Sequence, residues 1–399
     1  MNFRNLNIRI ITFHCKFYFI SYPELRLFNR LIKRILLRKC LSQVLFLYLH
    51  SIFMKGYMTK KNTTIYDISK KLNVSVATVS RALNNHPRIS QETKELVMAA
   101  AKEMNYKQNN LAKALKSGET KTVGVIVPYI NTNFFSSVIR GLEEELSPHG
   151  YRVIICQSHD DADIEKKQLT TFLHTQVDCI FISISRNTSD MEYVKKIIAT
   201  ANTPIIFFDR KKDIPGISTI TIDDHRGAYV ATEHLIQQGY KNIYHFSGDQ
   251  NLEIYQNRLN GYINALKDYN LPVIKENIIN TGSSIEEGIN AMKTVCKRKL
   301  KPDAIFSASD FTALGVCKEI KNLKLKIPQD IGVIGFSNEP FTQFMELSIS
   351  SVDQTPVLMG KISGNVFLES IKDNSSGISI EKKLVLAPTL YIRESSKRK

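Results

Sequence analysis

Short apolar runs that alternate with amphipathic stretches are the feature that most constrains the fold of this chain. Eight such runs, rich in Val, Ile and Phe, lie beyond residue 120 and read TVGVIVP, RVIICQS, CIFISIS, PIIFFD, STITID, NIYHFSG, AIFSAS and IGVIGF. Strands buried on both faces form continuous apolar runs, and helices between them favour parallel pairing. Because eight strands suffice for two doubly wound lobes rather than one, we expect residues 120–396 to form an α/β core of two lobes with parallel sheets.

The ends of these strands indicate a ligand site. Ligands of doubly wound sheets bind beyond the carboxyl ends of the strands, which in a two-lobed protein is the cleft between the lobes. Aromatic and charged side chains at or after strand ends, together with an arginine in the segment YQNRLNG, are the candidate contacts: Phe134, Phe135, Asp209, Arg210, Asp223, Arg258, Asp310 and Phe336. For each acid in this set, a helix cap or a surface salt bridge is the alternative interpretation.

The excess positive charge is confined to the first third of the chain. Residues 1–57 contain ten Lys and Arg against one acid, and residues 58–117 contain eleven against four. The remainder, 118–399, is balanced at 33 basic and 33 acidic residues. A basic head on a neutral body predicts a polyanionic partner, of which nucleic acid is the commonest.

The first 57 residues are apolar enough to resemble a targeting or membrane segment. Their longest apolar run, near residues 44–49, falls well short of the ~20 residues that a membrane-spanning helix needs. Met58, or else Met54, stands directly before the first well-organised segment. We therefore expect residues 1–57 to be a non-native or disordered extension, and a membrane anchor is the alternative interpretation.

Residues 63–106 show the pattern of three short helices. Thr64, Ser75 and Ser90 are suited to cap their N-termini, and Asp67 extends the first cap into a capping box. Each helix carries one apolar stripe, and we expect these side chains to be buried: Ile65, Ile68 and Leu72; Val79, Ala82 and Leu83; Leu96, Val97, Ala100 and Met104. A small helical DNA-binding headpiece over residues 58–107 is predicted, and a generic helical bundle is the alternative.

The second of these helices has the side chains of a recognition helix. Small residues allow a close approach to base edges in the major groove, and Arg81 can donate to O6 and N7 of guanine. Short hydroxyl and amide side chains suit phosphate contacts. The candidate DNA contacts are Ser75, Val76, Ala77, Thr78, Ser80, Arg81, Asn84 and Arg88.

The headpiece resembles that of the lac repressor family. The resemblance rests on VSVATVSRALN followed by RIS and NY, and it covers residues 58–117 with Ser69 in place of the usual Ala. In the core, HLIQQGYKNIYHFSG, RLNGYINAL, SASDFTALG and IPQDIGVIGF extend the resemblance to about residue 396. The implied fold is an all-α helix-turn-helix headpiece followed by a periplasmic-binding-protein-like core.

This resemblance also implies a mechanism and a set of partners. Residues 108–119 would form a hinge helix whose Leu115 opens a base step in the minor groove, although an ordinary linker is the alternative. The two phenylalanines would form a platform for a ligand ring, the arginines and aspartates would bind ligand hydroxyls, and Phe336 would close the cleft. The implied protein is a homodimeric repressor of a double-stranded DNA operator, controlled by a sugar-type effector. Ser337 and Asn338 stand where Asp is common, which leaves the identity of the effector open.

Two other classes of protein are less consistent with the sequence. An enzyme is disfavoured because no GxGxxG, P-loop or GxSxG motif follows a strand. A sugar-binding protein of the transport type would need an export signal and no headpiece. The six cysteines form no CxxC pair and have no zinc-site spacing, so free thiols in a reducing cytoplasm are expected, without a metal or cofactor.

Overall fold

The computed structural model describes residues 63–107, 119–188, 192–200, 203–374 and 381–398. By its internal contacts the chain divides into two units, Met1–Asn109 and Asn110–Lys399, and each is described here by itself. The predicted N-terminal extension and the predicted hinge helix with Leu115 lie outside the described residues.

The first unit contains three helices, α1 (Ile65–Leu72), α2 (Val76–Leu83) and α3 (Gln91–Glu103). Their caps are those predicted: the Asp67 carboxylate accepts from the Thr64 N–H at 2.8 Å. The hydroxyl oxygens of Ser75 and Ser90 accept from backbone N–H groups at 3.0 and 3.3 Å. These caps satisfy donors that a helix start leaves without intrahelical partners.

One residue of the predicted headpiece core is exposed, and one buried residue, Ala101, was not predicted. Leu96 is 56% exposed, whereas Val97 is fully buried and Ala100 nearly so. The inner stripe of α3 is centred on Val97, Ala100 and Ala101, and at 100° per residue Leu96 lies to one side of that stripe. The expectation that Leu96 is buried is therefore wrong, because the helix phase is set by a stripe shifted by one residue.

The second unit begins with alternating strands and helices. In chain order these are β1 (Thr122–Val127), α4 (Asn133–Leu146), β2 (Arg152–Gln157), α5 (Ala162–His174), β3 (Cys179–Ile182), α6 (Glu192–Thr200), β4 (Ile205–Phe208), β5 (Ser218–Ile222) and α7 (Asp224–Gln237). It continues with β6 (Ile243–Phe246), α8 (Glu253–Asp268), β7 (Ile278–Ile279), α9 (Ile285–Val295), β8 (Ala304–Ser307), α10 (Asp310–Asn322), β9 (Gly332–Phe336), α11 (Phe341–Phe344), β10 (Ser350–Asp353), α12 (Pro356–Asn374), β11 (Lys383–Leu386) and β12 (Thr389–Tyr391).

These strands form two six-stranded sheets within the described residues, in the orders β11-β5-β4-β3-β1-β2 and β12-β10-β9-β8-β6-β7. Every pairing is parallel except that of β10 with β12. All eight predicted runs form strands, which confirms the two doubly wound lobes. The sequence pattern does not predict β7, β10, β11 or β12, because their segments lack an apolar run as long as those of the other eight strands.

The described chain crosses between the lobes at three places. After β5, helix α7 packs against α8 of the second lobe, and after β10, helix α12 returns to pack against α4 of the first. The third crossing lies between β11 and β12. A Cβ atom at Gly360 would lie 2.0 Å from the carbonyl oxygen of Val138, so glycine is what lets α12 approach α4 so closely.

Candidate DNA-binding surface and ligand cleft

One face of α2 is open to solvent from its first turn to its last. Ser75, Ala77 and Arg81 are exposed, while the neighbouring predicted contacts Val76, Thr78 and Ser80 are half-buried. None of the ion pairs between described residues involves Arg81. Its guanidinium group is therefore free of a competing carboxylate, as a donor to a base edge or a phosphate should be.

Local hydrogen bonds order the polar side chains of this surface. The hydroxyl groups of Ser75 and Thr78 lie 2.8 Å apart, so one of them donates to the other and one proton is left over for an external acceptor. Asn84 Nδ2 donates to the carbonyl oxygen of Ser80 at 2.8 Å, and the exposed Arg88 donates its backbone N–H to His86. The predicted contacts thus lie on or next to one short helix whose ends are fixed.

The core contains a cavity of about 290 Å³ between the two lobes. Five of the eight predicted ligand contacts lie on its wall: Phe134, Phe135, Asp209, Arg210 and Arg258. The wall also includes residues that the sequence did not indicate, among them Asp160, Arg186, Asp249, Tyr255, Glu339 and Gln354. Two further cavities, of about 450 and 540 Å³, adjoin it, and Arg186 lines all three.

Three predicted contacts are not on this wall. Asp223 accepts from the backbone N–H of Arg226 at 2.8 Å, so it is the N-cap of α7, the alternative interpretation given above. Asp310 is fully buried and accepts from the Ser351 hydroxyl at 2.7 Å and from the Glu339 N–H at 2.8 Å. Phe336 is also fully buried, beneath Arg258. Asp310 and Phe336 are thus buried residues that do not face the cavity, and Asp223 is an exposed helix cap.

Arg258 is held in place from several sides. Its Nε donates to the Asp224 carboxylate at 2.7 Å, one terminal nitrogen donates to the carbonyl oxygen of Ala308 at 2.8 Å, and its guanidinium lies 3.7 Å from the ring centre of Phe336. Burial raises the pKa of Asp224 to about 6, although the arginine opposes that shift. Because only 3% of Arg258 is exposed, the guanidinium is a rigid, pre-oriented part of the cleft.

A second charged network lies at the strand ends of the first lobe. The Asp160 carboxylate accepts from Arg210 at 2.5 Å and from Arg186 at 3.0 and 3.2 Å. The loop that carries Arg186 is fixed by the fully buried Glu165, which accepts from the Ser185 N–H at 2.5 Å. Asp209 is buried beside these groups, and burial raises the pKa of its carboxyl group.

The rule that predicted Asp209, namely that side chains just after a strand contact the ligand, would also have predicted Asp160 and Arg186. They follow the runs RVIICQS and CIFISIS, which form β2 and β3, at the same edge of the same sheet. The partner of Arg258 could not be fixed from the sequence in this way. It is Asp224, one residue after the predicted Asp223, because the first of the two caps the helix and the second faces inward.

Two polar atoms on the cavity wall are buried without a hydrogen-bond partner among the described residues. They are Nε of Arg210 and the hydroxyl oxygen of Thr132. An unsatisfied buried donor or acceptor costs ~1–3 kcal/mol. A ligand that supplies hydroxyl groups would satisfy both atoms, since a hydroxyl both donates and accepts.

The aromatic part of the wall is compact. Phe134 and Phe135 pack edge to face with ring centres 5.1 Å apart, and about 6–7% of each residue is exposed. Tyr255 adds a third ring from the second lobe, 5.2 Å from the guanidinium of Arg258. Narrow apolar faces between charged groups suit the mixed polar and apolar faces of a sugar ring.

A basic headpiece with an exposed recognition-type helix, followed by a two-lobed core with a polar cleft, defines a ligand-responsive DNA-binding regulator. The family model of bacterial regulatory proteins of the lacI family matches residues 64–109. The model of periplasmic binding proteins and the sugar binding domain of the LacI family matches residues 120–387. The chain belongs to the LacI family of bacterial transcriptional regulators.

Individual relatives agree with this assignment. The NTD biosynthesis operon regulator NtdR of Bacillus subtilis is 32% identical over 334 residues, which cover 84% of this chain and 99% of that protein. The ribose operon repressor of Haemophilus influenzae is 30% identical over 332 residues, covering 83% and 98%. The crystal structure of the lac repressor dimer bound to operator and the anti-inducer ONPF has a TM-score of 0.76 at 23% identity, covers 85% and 100% of the two chains, and shows the shared fold.

Among the described residues, no helix combines the length and the apolar character that crossing a bilayer demands.

Proposed function

We propose that this chain is a repressor whose affinity for a DNA operator is set by a sugar or sugar derivative bound between the lobes of its core. The observation that carries the proposal is the interlobe cavity at the carboxyl ends of both sheets, with buried polar atoms on its wall that lack partners. The match to the sugar binding domain of the family supports the choice of ligand. The proposal contains no catalytic step, since regulators of this family act by binding.

The proposed ligand contacts come from both lobes. Arg210 Nε would donate to a ligand hydroxyl, and Asp209 would accept from one. Arg258 would contribute from the second lobe, where its position is already fixed by Asp224. Because the contacts lie on either side of the cleft, ligand binding favours one angle between the lobes over another.

The proposed DNA contacts are those of α2 and its surroundings. Ser75, Thr78, Ser80, Asn84 and Arg88 would position the helix on phosphates, while Arg81 and the small side chains of Val76 and Ala77 would read base edges. Leu115, outside the described residues, would enter the minor groove. The proposal retains a headpiece over residues 58–107, a hinge over 108–119 and a ligand-binding and dimerisation core over 120–396.

A homodimer would place two headpieces on the two halves of a pseudo-palindromic operator. The ligand would then act through the lobe angle on the spacing of the two hinges. Control of this kind requires a coupling free energy between the two sites of ~1–3 kcal/mol.

The test has two steps that use the full chain. Selection from random duplex DNA should yield a pseudo-palindromic site, and a panel of sugars in a thermal-shift assay should yield a ligand that changes affinity for that site by roughly 5–150-fold. A chain that selects no duplex sequence, or whose operator affinity responds to no small molecule that it binds, would refute the proposal.

A further inference from the structure

Glu339 is a cavity-wall residue whose position links the two lobes. It is the third residue after β9 of the second lobe, lines the cleft and is 6% exposed. The backbone N–H groups of Asn133 and Phe134, the first residues of α4 in the first lobe, act on its carboxyl group and lower its pKa. The N-cap residue of that helix, Thr132, makes no side-chain cap of its own. The carboxyl group near this helix N-terminus is that of Glu339, which comes from across the cleft.

The N-terminus of a helix that opens into a cavity is otherwise a site for anions. Its free N–H groups and the helix dipole favour a phosphate or a carboxylate there. In this cleft the position is occupied by a carboxylate of the chain itself. An anionic group of a ligand would have to displace Glu339 and would then lie beside it.

The other charged groups of the wall do not compensate for that repulsion. Four carboxylates and three guanidinium groups line the cavity. Arg186 and Arg210 are both hydrogen-bonded to Asp160, and Arg258 to Asp224. Each guanidinium group on the described wall is thus already paired with an acid, although Nε of Arg210 keeps no hydrogen-bond partner there, and the formal charge of the wall is on the negative side.

We infer that Glu339 determines the class of effector: it excludes ligands that carry a phosphate or a carboxylate, and the cleft takes an uncharged or amino-bearing polyol. This inference rests on the proposed function, because it specifies the ligand of the same cleft. Hydroxyl groups can donate to Glu339 and Asp209 and accept from Arg210 Nε, and an ammonium group can only donate, which suits a wall with surplus carboxylates.

The electrostatic state of Glu339 agrees with this role. Burial, with Asp310 close by, raises the pKa of its carboxyl group to about 7, while the N–H groups of α4 oppose the rise. The charge on this residue is therefore already unfavourable near neutral pH. A second negative charge at the same place would add to that cost.

The first experiment uses sulfate as the probe and needs no knowledge of the effector. Binding of sulfate to the full chain is measured by calorimetry at constant ionic strength for the wild type, Glu339→Gln and Glu339→Ala. Glu286→Gln is the matched control, since Glu286 is an exposed glutamate in the first turn of α9 that lines none of the three cavities. We expect both Glu339 variants to gain a saturable site at least about tenfold tighter than any in the wild type, a difference of ~1.4 kcal/mol.

Glu339→Gln is included because it removes the charge and keeps the size and polarity of the side chain, so the fold is kept if the alanine variant is unstable. The control variant should behave as the wild type. Equal sulfate binding by the wild type and both Glu339 variants would overturn the inference, since the residue would then exclude nothing.

The second experiment compares each neutral sugar with its charged derivatives: glucose with glucose 6-phosphate, gluconate and glucosamine, and ribose with ribose 5-phosphate. For the wild type we expect thermal shifts only from neutral or amino sugars, and for Glu339→Ala a relative gain by the phosphorylated partners. Tighter binding of a phosphorylated sugar than of its parent to the wild type would refute the inference. If no sugar binds, the proposed function loses its support, and the sulfate comparison alone decides the role of Glu339.

Discussion

The headpiece and the cleft use charge in opposite ways. On α2 the guanidinium of Arg81 is exposed and has no ion-pair partner among the described residues, and it belongs to a segment with a large excess of positive charge. In the cleft Arg258 is almost fully buried and bonded to Asp224. Unpaired surface charge gives long-range attraction that salt weakens, whereas buried paired charge gives a fixed geometry that salt hardly affects. The two proposed sites should therefore respond differently to salt.

The largest expected difference between the two sites is in how their binding affinities depend on salt concentration. Raising the salt concentration from 50 to 200 mM should lower operator affinity by ~10³-fold or more, because several condensed counterions are released on binding. The affinity for a neutral sugar in the cleft should stay within about twofold, since buried pairs are screened much less. Fluorescence anisotropy with labelled operator and calorimetry with the sugar measure the two. Parallel losses in both would show that the contrast between the sites does not exist.

Arg258→Ala should damage the core and leave the headpiece unchanged. It leaves Asp224 buried without its partner, which typically costs ~3–5 kcal/mol of folding free energy. The measurement is thermal unfolding of the full chain, together with sugar binding and operator affinity. We expect lower core stability and no sugar response, with operator binding retained where the core stays folded.

The double variant Arg258→Met, Asp224→Leu is the control for that change. It removes both charges from the buried pair, so stability should return towards the wild-type value while sugar binding stays lost. If the double variant is as unstable as Arg258→Ala, the cost comes from lost packing on Phe336 and not from the unpaired carboxylate. If either variant responds to sugar normally, Arg258 is not a ligand contact.

The two regions also differ in how far the sequence predicts them. In the headpiece the caps of α1, α2 and α3 were all predicted, because a cap and the N–H group it satisfies lie within three residues of each other. In the core the eight apolar runs were enough to predict the lobes. The crossing of α12 back to the first lobe was not predicted, since it depends on contacts between helices far apart in the chain.

The cleft shows the same limit at the level of side chains. Strand ends indicated Asp209 and Arg210, which do lie on the wall. Nothing in the sequence indicated Glu339, because its role depends on its distance from α4 in the other lobe. Asp310 sits in a well-matched segment but points into the protein, where Ser351 and the Glu339 N–H bind it. The direction in which a side chain points and the depth to which it is buried depend on tertiary packing, which a local sequence pattern does not encode.

Arg81→Ala tests whether the exposed charge of α2 reads sequence or only attracts DNA. A bidentate contact to guanine is worth ~1–3 kcal/mol of discrimination at one base pair, so this variant should lose preference at one position of each half-site. Lys102→Ala, which removes one exposed charge from α3, is the matched control and should weaken binding to all sequences alike. Competition assays with single-base operator variants provide the comparison. Identical profiles for the two variants would assign Arg81 to non-specific attraction.

The smallest expected effect is the pH dependence that Glu339 adds to the core. Its pKa is raised from 4.5 to about 7 in the folded protein, so its contribution to stability is full below about pH 4.5 and is lost as the pH rises through 7. Asp224 and Asp310, with pKa values raised to about 6, act in the same direction at lower pH. Glu339→Gln should therefore melt higher than the wild type at pH 8 by a few degrees and equally at pH 5, given ~2–4 °C per kcal/mol for domains of 150–250 residues. Differential scanning calorimetry at both pH values, with Glu286→Gln as the reference variant, measures the difference in melting temperature. An equal difference at the two pH values would mean that the titration of Glu339 is not coupled to folding.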